Sequence, residues 1–269
     1  MGHLRIGVLP RSRNWRAVVS AIGEMSGGQI DGRSCSDLAD KTLVASQREL
    51  RKLPDDIAFQ RCFQFLVILS VAGKSDNVQQ AAKSFGLGID GIPTKLELSR
   101  VLRTWLSGLD PYYYNPEFAS LARHATADTI AAWINQHADT PQLSLFPTSE
   151  DPYKPWRKAS TGAGFCELSR SFFSNFTDRY LKYFLSRTAS SQFSTVEERS
   201  QFSNLVRNNV DLVTTHAFET SKIVQSFSAG WFNKNASEYK LPPIESVKGF
   251  LGFSIEKIRE EFRREMGGM

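Results

Sequence analysis

Cysteine is scarce in this chain. The three at 35, 62 and 166 are odd in number and far apart, which excludes a disulfide framework and fits a reducing compartment. Long apolar runs are missing too: the longest, FQFLVILSVA over 63–72, is about half of what a bilayer crossing needs. The opening MGHLRIGVLPRSR has no apolar segment of secretory type, so the expectation is a cytoplasmic protein with no membrane span. The sequons at Asn175 and Asn235 then carry no weight. The four histidines (His3, His124, His137, His216) have no partner at metal-ligand spacing, so no metal is expected. Charge of either sign is not concentrated: the net charge is +5 with a pI of about 9.1, a mild balance compared with dedicated nucleic-acid binders.

What the sequence does contain is helical periodicity. One stretch, LRIGVL over 4–9, reads as a short strand ended by Pro10; the patterns after it are helical. Asn14 is a candidate cap for a helix to about Met25, and a second helix falls near 36–53. A third runs from about Asp56 to Ala72, apolar on nearly every side in its second half, as a helix at the centre of a fold must be. Ser75 or Asp76 can open a short fourth. Thr94 with Glu97 forms a capping box, and Asn115-Pro116 places a cap before proline at the first helical position. Residues 139–164 hold four of the eleven prolines and read as a linker or surface crossing. A helix over the stretch 169–187 follows. Ser194 with Glu197 suggests a further capping box, opening a pattern of three- and four-residue steps from Phe202 to Trp231. Pro242-Pro243 opens a last helix. The expected fold class is all-α: a helical bundle in which subdomains 1–138 and 165–269 flank the proline-rich segment.

Several stretches imitate chemistry. Gly73-Lys74-Ser75 ends like a phosphate-binding loop, but Ile68 stands where the first glycine must be, and a β-branched residue cannot make that turn. GLGIDG over 86–91 matches G-x-G-x-x-G, yet it follows a helix and precedes Pro93, so it reads as a helix C-cap and loop. Glu238-Tyr239-Lys240 echoes the end of a metal-dependent nuclease motif without a second carboxylate. Cys166 lies near a helix start, where a thiol can be activated, but no histidine is placed beside it by sequence. His216 reads as a satisfied core or interface histidine and Cys166 as a small buried thiol. No complete catalytic constellation emerges and no cofactor is expected.

The segment SRSFFSNFTDRYLKYFLSR, 169–187, interleaves six rings with four cations, a combination that suits either base stacking or core. At about 100° per residue the six rings fall in one stripe roughly 120° wide. A stripe that wide on one helix is a buried face, so core is the favoured reading.

The opening GHLRIGVLPRSRNWR, together with SFFSNFTDRYLKYFLSR and AGWFNK, resembles uncharacterised bacterial proteins found among multi-gene systems such as phage defence. No motif of known role comes with that resemblance. The function expected is a non-enzymatic interaction subunit of a larger assembly, with a nucleic-acid-binding accessory as the alternative. The candidate partner-binding residues are Arg11, Arg13, Trp15 and Arg16, followed by Trp156, Arg157 and Lys158. Three arginines at a helix N-terminus oppose the helix dipole, so helix stability alone does not account for them. Their forked guanidiniums suit carboxylate or phosphate.

Overall fold

The protein is seen in a computed structural model that describes residues 13–26, 37–38, 41–42, 44–45, 50–138, 151–193, 195–215, 222–237 and 240–267. The expected strand at 4–9, Arg11, His3, Cys35, His216 and residues 36, 39–40, 43 and 46–49 of the second expected helix lie outside the described residues. Among those described there are ten α-helices and no sheet, so the fold is all-α.

The first helix, α1 (Arg13–Ser26), contains Asn14 rather than being capped by it. It buries Trp15, Val18 and Ile22 at helical spacing. A 3₁₀ turn at Leu53–Asp55 leads into α2 (Ile57–Ala72), capped by Asp56, whose carboxylate accepts from Phe59 N at 2.9 Å. From Phe65 to Ala72 every residue of α2 is buried, matching its all-round apolar sequence. Asn77, rather than Ser75 or Asp76, caps α3 (Val78–Ser84). Gly86 then takes φ 90°, a conformation open to glycine, and Leu87 N donates back to Ala82 O at 2.9 Å.

Thr94 caps α4 (Lys95–Ser107), and Asn115 caps α5 (Pro116–His137), accepting from both Glu117 N and Phe118 N. The segment 139–164 is described from residue 151 onward, and there it holds one short helix and the start of the next. Tyr153 leads into α6 (Lys154–Ala159), with Trp156 and Ala159 buried. After it comes α7 (Gly162–Gln192), the 31-residue helix of the aromatic stretch.

The next cap lies one residue later than expected. Thr195 and Glu198 bond reciprocally, each side chain to the other's backbone N–H at 3.1 Å, and open α8 (Val196–Thr215). The long pattern continues in α9 (Lys222–Asn235), residues 216–221 lying outside the described set. The last helix, α10 (Ile244–Gly267), follows Pro242-Pro243.

One core joins rings from both sides of the proline-rich segment. Phe59 lies 4.8 Å from Phe176, and Phe63 lies 5.3 Å from both Phe172 and Phe250, centroid to centroid. Phe165 stacks on Phe232 at 4.2 Å, which brings α9 in. Four rings of the 169–187 stripe, Phe172, Phe173, Phe176 and Tyr180, are fully buried, and Phe184 packs against the core. The stripe is core. Each such ring contributes roughly 3–5 kcal/mol relative to alanine, so this cluster is where helices α2, α7, α9 and α10 are held together.

Candidate functional site

The cations among the stripe's rings are engaged within the chain. Arg170 reaches Asp211 at 3.6 Å, Arg179 forks onto Asp128 of α5, and Lys182 pairs with Asp178 at 3.0 Å. The side chain of Arg187 lies outside the described set. The pairings of Arg170 and Arg179 join α7 to α8 and α5, so among the described residues these three cations serve contacts within the chain.

The two candidate partner segments differ. On α1, Trp15 is 4% exposed and packs on Phe184 of α7, while Arg13 and Arg16 stand in solvent. Neither arginine forms an ion pair among the described residues. On α6, Trp156 is 1% exposed and is a core residue, so its ring offers nothing to a partner. Arg157 bonds Asp151 Oδ2 at 3.0 Å and the carbonyls of Ser75 and Asp76 at 3.1 Å each, clamping α6 onto the turn after α2. Lys158 is exposed.

Gly73 and Lys74 have structural jobs, while Glu238 and Tyr239 of the nuclease-like stretch lie outside the described residues. A Cβ added at Gly73 would stand 2.1 Å from Trp156 O, so glycine is needed for the backbone of α6 to approach. Lys74 donates to Ala236 O at 2.8 Å and lies 4.6 Å over the ring of Phe232, tying α2 to the end of α9; partial burial lowers its pKa. Burial pushes the Cys62 thiol up to about 12, leaving it neutral at physiological pH. Cys166 is buried as well. His137 packs on Trp133 with 4.0 Å between centroids and the planes tilted by 55°, and His124 faces Arg123, Arg179 and Asp128. Burial lowers the pKa of both imidazoles. Among the described residues no group of three or more His, Cys, Asp or Glu is placed to hold a metal ion.

Two clefts remain. The first, about 310 Å³, lies between α5, α7 and α8 and is lined by both signs of charge. Its groups largely satisfy one another: Gln136 donates to Glu167 at 2.7 Å, Asn175 to Thr129 at 3.1 Å, and Ser174 to Asp211 at 3.1 Å. The second, about 540 Å³, opens where α4 and α5 converge beside the start of α2. Arg103 of α4 and Arg123 of α5 line it together with Tyr114, and no carboxylate is among its lining residues. Neither arginine has an ion-pair partner among the described residues.

No protein family, curated protein or solved structure matches the chain. Its function is therefore argued from its own surfaces.

Sequence reasoning passed over Arg103 and Arg123. A usable signal was present, since neither has an acidic residue three or four positions away, the spacing at which helical arginines are neutralised. Arg100, by contrast, has Glu97 at that spacing and pairs with it at 2.6 Å.

Proposed function

We propose that the chain is a helical interaction subunit of a larger bacterial assembly, working by binding, and that the outer edge of α1 meets an acidic protein partner. The observation that carries this reading is the pair Arg13 and Arg16, exposed and without an ion pair among the described residues, on a helix that buried Trp15 fixes in place. Two guanidiniums held on a fixed scaffold lose little freedom on binding, and their forks match carboxylates. The bacterial setting rests only on the resemblance carried by GHLRIGVLPRSRNWR, SFFSNFTDRYLKYFLSR and AGWFNK.

The test is capture of partners from a bacterial host with the tagged chain, followed by light scattering of the complex. Arg13→Gln with Arg16→Gln should abolish capture at unchanged melting temperature. A chain that stays monomeric and captures nothing, or captures the same protein after both substitutions, removes the reading. Nucleic acid is the alternative partner, and a mobility shift at two salt concentrations separates them, because phosphate contacts weaken steeply with salt.

A further inference from the structure

The cleft between α4 and α5 is built differently from the rest of the surface. Its floor is fixed: Asp56 caps α2 through Phe59 N at 2.9 Å and accepts from Asn115 N at 2.7 Å, so one carboxylate joins the starts of α2 and α5. Asp56 is 8% exposed, its oxygens accept from backbone amides, and it neither lines the cleft nor forms an ion pair with either arginine among the described residues. Asn115 in turn satisfies the first amides of α5. The positive groups left facing the cleft are Arg103 and Arg123, one from each helix.

Two exposed guanidiniums lining one cleft with no carboxylate in its lining make it a positive surface that favours an anion. A phosphoryl group fits that requirement: it carries up to two charges, and its terminal oxygens accept two forked donors. The hydroxyls of Ser107 and Ser120 line the same cleft, one turn from each arginine. Leu106 and Leu109 give it an apolar wall, with Tyr114 as an aromatic surface. A volume of about 540 Å³ lies within the roughly 300–1,000 Å³ of ligand sites, far more than a bare anion fills. We propose that this cleft binds an organic phosphate of nucleotide size, its phosphoryl group held between Arg103 and Arg123. That phosphoryl group has two sources, a free nucleotide or the 5′ end of a nucleic-acid strand.

Calorimetric titration with adenosine monophosphate, adenosine and citrate, and anisotropy with a single strand bearing a 5′-phosphate or a 5′-hydroxyl, test it. Adenosine monophosphate or the phosphorylated strand should bind, and adenosine and the hydroxyl strand should not. Arg103→Gln and Arg123→Gln should each weaken binding by at least about tenfold, the loss of one charge-assisted contact. Binding of the monophosphate assigns a free nucleotide; binding of the phosphorylated strand alone assigns a strand end. The proposal falls if no phosphate probe binds, if citrate binds as tightly as the monophosphate, or if the double Gln variant retains full affinity. Both arginines are solvent-facing, so the variants should fold. Should a Gln variant melt early, Arg103→Lys with Arg123→Lys, keeping charge but losing the fork, must still weaken binding. Arg13→Gln with Arg16→Gln should leave this binding unchanged, which separates its failure from failure of the α1 reading.

Discussion

Trp15 of α1 rests on Phe184 of α7, the ring centroids 5.0 Å apart and the planes tilted by 32°. This contact, with Val18 and Ile22 buried beside it, is what makes the arginine edge of α1 a fixed feature. The two functions of the segment therefore separate by residue: the ring serves the fold and the guanidiniums face outward. Trp15→Ala should cost about 3–5 kcal/mol of stability in chemical denaturation, with Trp15→Phe costing less. If Trp15→Ala leaves the midpoint unchanged, α1 is not anchored by this ring and the edge is not preformed.

Glycine gives a second separation. Gly73 has Trp156 O at 2.1 Å from where a Cβ would stand, and Gly164 has Lys158 O at 2.0 Å. Both obstacles are backbone, so they cannot swing aside. Gly73→Ala and Gly164→Ala should each destabilise by about 1–3 kcal/mol. Gly230, inside α9 with open space around it, should behave oppositely, since alanine there gains about 0.5–1 kcal/mol of helix propensity. Equal melting shifts for Gly73→Ala and Gly230→Ala would show that α6 does not press on the end of α2.

The same glycine explains where sequence reasoning reached its limit. Asn115-Pro116, Thr94 and the ring stripe of 169–187 were legible because cap chemistry and helical period are local properties, and each is found at its expected place. The cap of α8 was legible only to within one residue. Ser194 with Glu197 and Thr195 with Glu198 both satisfy the spacing, and the structure uses the second. Trp156 was read as a candidate partner-binding residue of the proline-rich segment. Its burial depends on Gly73, about eighty positions away, and on the clamp from Arg157 to Ser75 and Asp76. No local pattern encodes a contact of that range. The cleft of Arg103 and Arg123 is illegible for the same reason: its parts come from α2, α4 and α5, and only the absence of neighbouring acids hinted at it.

Those long-range bonds reverse what composition suggests about proteolysis. A proline-rich segment bearing Lys154, Arg157 and Lys158 looks like the first place for trypsin to cut. In the structure these residues form α6, with Trp156 and Ala159 buried beneath them and Arg157 bonded to Asp151, Ser75 and Asp76. The Lys154–Pro155 bond is a poor trypsin site in any conformation, so the bonds after Arg157 and Lys158 are the informative ones. A protease needs the chain extended, and cleavage therefore follows the population in which α6 has come away. Native protein should keep both bonds intact while more exposed sites are cut. Arg157→Gln removes a cation bonded to two carbonyls and a carboxylate, a loss of about 1.5–3 kcal/mol for hydrogen bonds of a charged group. Cutting after Lys158 should then rise by about tenfold or more, read by mass spectrometry of a time course. If the wild-type chain is cut after Lys158 as quickly as the variant, the clamp does not hold α6, and the segment behaves as the crossing its composition describes.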